Sequence, residues 1–176
     1  MSKPEPPPTL GAPLLPGVIH GVRTWFVGPH SFLIGLRHAS TPGGTALIWA
    51  PDGEPTSAHC LLETHRAPDP DCGCGLYAYH PHRCKSVGRS PRLMVTGVVE
   101  AWGQVELYDA GFRAKYARPV TLFVPPVHLV GLERWQRIET VAERYEVPLV
   151  ELPEPRMASE WCAREGLGIA PGVVSG

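Results

Sequence analysis

Four side chains of the kind that bind soft metal ions crowd into fifteen residues of this chain: Cys60, His65, Cys72 and Cys74. Thiolate and imidazole are the donors that tetrahedral Zn²⁺ prefers, and four of them close a structural site. The local frame suits that chemistry. HCLLETH (59–65) is followed by the turn-forming APDPD (67–71) and then by CGCG (72–75). Glycines on either side of Cys74 let the backbone wrap closely around an ion without a Cβ clash. Cys60, Cys72 and Cys74 are common to every ligand set. The fourth donor is His65, Cys84, or one of His59, His80 and His82, and the position of His65 between the first thiol and the CxC pair favours it. Competing readings are buried packing thiols and an iron–sulfur cluster.

A catalytic metal would need an open coordination position and a nearby acid or base. Glu63, between Cys60 and His65, is placed for the base, and His80 or His82 for a proton relay. Neither HExxH nor the deaminase pair of H/C-x-E and P-C-x-x-C is present. G-x-S-x-G, P-loop and G-x-G-x-x-G motifs are absent as well.

A second constellation spans residues 83–118. Arg83, Lys85, Arg89, Arg92, Arg113, Lys115 and Arg118 alternate there with Trp102, Tyr108, Phe112 and Tyr116, against only Glu100, Glu106 and Asp109. On a curved sheet such a stretch offers cations for phosphates and rings for stacking bases; the plainer expectation is a solvated basic face. Trp25 and Trp49 read as core, or with Trp102 as an aromatic pocket. Arg113 follows a Gly-aromatic turn, placed to grip an anion or to pair across the sheet with Glu100 or Glu106. The candidate ligand-binding set is therefore Trp25, Trp49, Trp102, Arg113 and Tyr116.

The elements that must carry these residues are short. Residues 1–16 form a Pro-rich leader without regular structure. Residues 18–27 and 31–38 are rich in β-branched and aromatic residues and read as strands joined at Gly28-Pro29. Residues 45–49 (TALIW) read as a third strand, and the metal loop occupies about 51–84. Two β-type runs lie between 92 and 107, with a bulge or bend at Trp102-Gly103. After a turn at 109–111, residues 112–124 return as a strand, with Phe112, Ala114 and Tyr116 on an apolar face and Arg113 and Lys115 on a solvated one. Pro119 must then sit at an edge or kink. Apolar residues at 132, 135, 138, 141/142 and 145 predict a helix. A short strand is expected at 147–152 and a second helix at about 156–165, with Pro155 in its first turn and Gly166 past its end. Trp161 and Cys162 on that helix read as packing residues.

HRAPDPDCGCGLYAY (65–79) and VTGVVEAWGQVELYDAGFRAKYARP (95–119) resemble a family of uncharacterised bacterial proteins. That family joins an H-x-A-P…C-x-C-G-[LI]-Y-A core, preceded by an upstream cysteine, to a V-x-G-x-V-x-x-W-G-x-V…G-[FWY]-R-A segment. The resemblance spans roughly residues 20–150. It implies that His65, Cys72, Cys74, Trp102 and Arg113 belong to one pattern, with Cys60 as the upstream cysteine. Cys84 falls outside that pattern, which also favours His65. No activity is implied.

Composition sets the outer limits. The 176 residues suffice for one core, so residues 17–176 read as a single domain, its C-terminal helices at about 132–166. Sixteen Lys+Arg against 17 Asp+Glu leave a net charge of −1, where a dedicated nucleic-acid-binding module shows a basic excess. Twenty-one Pro and 19 Gly favour short elements and many turns. No stretch approaches the roughly 20 apolar residues that span a bilayer, and the N-terminus lacks a signal-peptide core. Five cysteines, an odd number with four between 60 and 84, suit reduced or metal-bound thiols in the cytoplasm.

The expectation is thus an α+β fold: a small, bent antiparallel sheet or barrel with a zinc-binding loop insertion and one or two C-terminal helices. The function that follows is a non-catalytic cytoplasmic binding or adaptor module with structural zinc, recognising a protein or peptide. The alternatives are single-stranded nucleic-acid binding along 83–118 and a zinc-dependent hydrolase with Glu63 as base.

Overall fold

Two long strands joined by a tight turn organise the molecule: β5 (Met94–Leu107) and β6 (Gly111–Val124). In the computed structural model, which describes residues 17–35, 47–60, 64–84, 93–154 and 156–167, they are antiparallel from Thr96–Phe123 to Leu107–Phe112. Their register slips between Val98 and Val99, opposite Pro119, and again between Trp102 and Val105. The second slip is the bulge expected at Trp102-Gly103. Gly103 has φ +82°, a conformation L side chains rarely adopt. The first slip is where the ladder accommodates Pro119, which lacks an N–H to donate.

β1 (Ile19–Val27) lies antiparallel to β5 over its whole length and carries β2 (Leu33–Gly35) on its other side. A 3-10 turn at Pro29–Ser31 joins the two where Gly28-Pro29 marks the bend. The outer edge of β6 is shared by three short strands in succession. β4 (Leu76–Tyr79) pairs with its start, β3 (Thr56–Ser57) with its middle, and β7 (Leu149–Glu151), parallel, with its end. β4 also reaches β1 through Val22–Tyr79. The seven-stranded sheet therefore bends round on itself without closing a continuous barrel ladder.

The described residues hold three helices, α1 (Val127–Val130), α2 (Leu132–Arg144) and α3 (Met157–Arg164). α2 lays Ile138, Val141, Ala142 and Tyr145 into the larger core, which lies within the bend and holds Trp25, Leu33, Trp49, Leu76, Val99, Phe112 and Leu122. α3 covers the opposite face, where Val22, Val98, Phe123, Leu152, Ala158 and Cys162 form a second core. Trp161 meets Phe123 edge to face at 5.3 Å. With elements packed on both faces, the burial of β5 and β6 departs from strict alternation.

The α+β architecture, the bent sheet and the helix–strand–helix order after residue 131 agree with the sequence expectation. Three features differ. Residues 45–49 do not form a strand in their described part: Ile48 makes one bridge to Ile34. The loop at 51–84 contains two real strands, β3 and β4. Leu132, part of the expected apolar stripe, is 61% exposed: it opens the helix, ahead of the turns that carry the buried Ile138, Val141 and Ala142. The leader at 1–16, Pro155 and the outer parts of the strands expected at 31–38 and 45–49 lie outside the described residues.

Candidate metal centre

The metal loop is an insertion into what would otherwise be one strand. β3 pairs with Ala117 and Tyr116, and the next amide, of Ala58, donates to Lys115 O at 2.7 Å. The ladder resumes at Leu76, opposite Ala114, the very next residue of β6. The chain thus leaves β6 at residue 58 and returns at residue 76, one position along, and all four candidate ligands lie on the excursion.

On that excursion the donor atoms of Cys60, His65, Cys72 and Cys74 lie within 4.8 Å of one another. Cys60 Sγ and Cys72 Sγ are 3.7 Å apart, and His65 Nε2 is 3.3 Å from Cys74 Sγ. A tetrahedral ion with metal–sulfur bonds of about 2.3 Å holds its sulfurs about 3.8 Å apart. Those two separations are close to the edges of a coordination tetrahedron, and the four donors lie near enough to one another to hold one metal ion. Burial above all, with Cys72 and Cys60 adding to it and the Asp69 backbone opposing, pushes the Cys74 thiol up to about 11. Thiols packed this closely resist carrying several negative charges, and a divalent cation at their centre reverses that preference.

The sheet holds the loop by its carbonyls. Arg113, 4% exposed, points from β6 into the turn, donating from Nη2 to Asp69 O at 2.7 Å and from Nη1 to Cys72 O and to Cys74 O, the latter at 3.1 Å. Its Nε donates to Glu106 Oε2 at 2.6 Å, across the sheet in register. Burial disfavours the guanidinium charge, and the hydrogen bonds and field of Glu106 outweigh it, so the pKa of Arg113 is raised. Gln104 Nε2 donates to Pro68 O at 3.0 Å, and Tyr77 Oη to Gly73 O at 2.7 Å. Within the turn, Asp69 Oδ1 accepts from Asp71 N–H and Asp69 O from Cys72 N–H. Gly75 has φ +126°, and a Cβ there would lie 3.1 Å from that of Arg113.

His65 is thus the fourth member of the cluster. Cys84 lies elsewhere, against the second core beside Cys162. His59 is exposed, while His80 is buried with Nε2 2.8 Å from Tyr108 O and its ring stacked on His82 at 5.6 Å. All five cysteines are thiols. Glu63 lies outside the described residues.

Arg113 belongs to a cross-strand pair with Glu106, as one of its two readings anticipated, but its face of β6 is not solvated. The metal loop folds over it. Gln104 and Tyr77 were missed as loop supports; the equal spacing of Glu106 and Arg113 on either side of Asp109-Ala110 was the available signal for the pair. Trp25 and Trp49 are fully buried and meet edge to face at 5.2 Å, so they fill the core and do not form a surface with Trp102. Trp102 is stacked on Tyr116 at 6.1 Å, half-buried on another part of the sheet. The cations of 83–118 are largely engaged: Arg83 pairs with Asp109, Arg118 with Glu100, and Lys115 Nζ lies 5.0 Å from the Tyr116 ring centre. Lys85, Arg89 and Arg92 lie outside the described residues.

Fold and site together define an α+β protein built on a bent sheet, with a sheet-anchored Cys₃His cluster able to hold a metal ion. The chain matches no protein-family model, no curated protein and no solved structure. Among the described residues no helix is long and apolar enough to cross a membrane.

Proposed function

We propose that Cys60, His65, Cys72 and Cys74 bind one zinc ion whose role is structural, in a non-catalytic cytoplasmic module that recognises a protein or peptide. The observation that carries the metal reading is the convergence of three thiols and one imidazole within 4.8 Å of one another. Four protein donors complete the coordination of zinc and leave no position for substrate or water. Arg113, Gln104 and Tyr77 bind the loop backbone, a support suited to a fixed structural site. Structural zinc at such a site contributes folding free energy of about 10–16 kcal/mol in small zinc modules. The half-exposed Trp102–Tyr116 stack supports a contact surface on the sheet, since aromatic residues with one wet edge are favoured at interfaces.

Elemental analysis of the purified protein tests the centre. One zinc per chain is expected, retained in Cys84→Ala and lost in His65→Ala. Metal kept in His65→Ala, or no metal in the wild type, overturns the assignment.

A further inference from the structure

We infer that the cleft between α2 and the free edge of β7 receives an extended peptide bearing lysine or arginine side chains, which pairs with β7 as an added strand. This goes beyond the binding-module reading by naming the partner's chemistry, and it involves none of the metal ligands.

The cleft has a volume of about 570 Å³. Its floor is apolar, with Leu149 from β7 and Trp135 from α2, and its walls carry Glu139, Glu143, Glu146 and Glu151. No lysine, arginine or histidine lines it, and among the described residues none of these four carboxylates belongs to an ion pair. The helical part follows from spacing: positions 135, 139, 143 and 146 lie on one stripe of α2 and its C-terminal turn. Acidic residues gathered on one stripe would mean little by themselves. Two further features point to a polypeptide.

The first is the strand edge. β7 is paired with β6 alone among the described strands. Leu122 N–H donates to Pro148 O at 3.0 Å and Leu152 N–H to Val124 O at 2.9 Å, so residues 148 and 152 turn their backbone groups toward β6. Alternate residues of a strand point the other way, which directs the backbone N–H and C=O of Leu149 and Glu151, both of which line the cleft, away from β6. Such an edge is a template for strand addition, in which main-chain hydrogen bonds supply affinity and the side-chain surroundings supply selectivity. The second feature is the spacing of the lining: Leu149 and Glu151 stand two residues apart on β7, so an added strand would run alongside one apolar and one acidic side chain.

Charge complementarity names the side chains. Lysine and arginine lay their methylene stems on apolar surface while the charged head reaches outward. In this cleft the stems would cover the floor and the heads would meet the glutamates.

The probe is fluorescein-labelled acetyl-Lys-Val-Lys-Val-Lys-Val-amide, titrated with the full-length protein and followed by fluorescence anisotropy. Saturable binding that weakens with added salt is expected. Glu139→Gln combined with Glu143→Gln should weaken it roughly tenfold, since each exposed charge pair contributes a few-fold. The same peptide N-methylated at alternate residues keeps its charge but cannot pair, and should bind at least tenfold more weakly. No binding of the parent peptide overturns the inference, as does unchanged affinity in the double variant. Equal binding of the N-methylated peptide overturns strand addition, and displacement by spermidine at equal charge concentration overturns a peptide as occupant. Zinc content measured on the same samples separates failure here from failure of the zinc reading.

Discussion

At the scale of single residues, Arg113 does what the ligands cannot do for themselves. Cys72 and Cys74 are held apart from solvent-driven loop motion because one guanidinium takes their carbonyls and that of Asp69 at once. Lysine offers a compact point charge where arginine offers a planar fork of five donors. Arg113→Lys should therefore preserve the sheet by circular dichroism yet weaken metal binding about ten- to a hundredfold, the range seen when a metal site loses its outer support. Competition with a chromophoric chelator reads this directly; unchanged affinity would reduce Arg113 to a sheet ion pair. Tyr145 plays the corresponding part in the core. Its hydroxyl donates to Trp49 O at 2.8 Å and accepts from Leu33 N–H at 2.9 Å. Burial, foremost, pushes its pKa from 10 up to about 12. Folding therefore favours the neutral phenol, so its contribution is complete below pH 10 and is lost as pH rises toward 12. Tyr145→Phe should lower stability near neutral pH by about 1–3 kcal/mol, because two buried backbone groups lose their partner. Urea midpoints at pH 9 and pH 11 should fall less steeply for the variant than for the wild type.

At the scale of elements, the decisive relation is between β3, β4 and β6. β3 and β4 follow one another along the same edge, and the chain between them leaves and returns at adjacent positions of β6. A loop closed at its base by a ladder and at its tip by a metal has little conformational freedom to lose on binding. On the zinc reading, removing the ion would open the tip but not the base. Chelation should therefore raise hydrogen exchange in residues 64–76, while amides of β5 and β6, the last to open, remain protected. Uniform loss of protection would mean that the metal holds the whole fold.

At the scale of the whole molecule, two apolar cores on opposite faces of one sheet share the stability. The larger depends on the Trp25–Trp49 pair, both rings fully buried. Replacing a core tryptophan by alanine costs about 3–5 kcal/mol, against a total of about 5–15 kcal/mol for a domain of ordinary stability. Trp25→Ala should thus shift the urea midpoint by a fifth or more of its value, whereas removing the exposed Leu129 side chain should barely move it.

By itself the sequence determined the chemistry available and the longest elements. Few residue types bind soft metals, so four of them within fifteen positions mark a candidate centre. The β5–β6 pair and α2 were legible because elements of thirteen or fourteen residues repeat their period often enough to stand out. Gly103 marked its bulge because the conformation there excludes most side chains. Only the tertiary structure decided the rest. β3 and β4, two and four residues long, are too short to carry a period and exist because β6 offers an edge. Alternation placed Arg113 on the outer face correctly, but whether that face meets water depends on a loop from far along the chain. His65 rather than Cys84 joined the cluster for the same reason. Residue 84 lies past the end of β4, which carries the chain to the second core beside Cys162, so a difference of a few positions in sequence became a different side of the sheet.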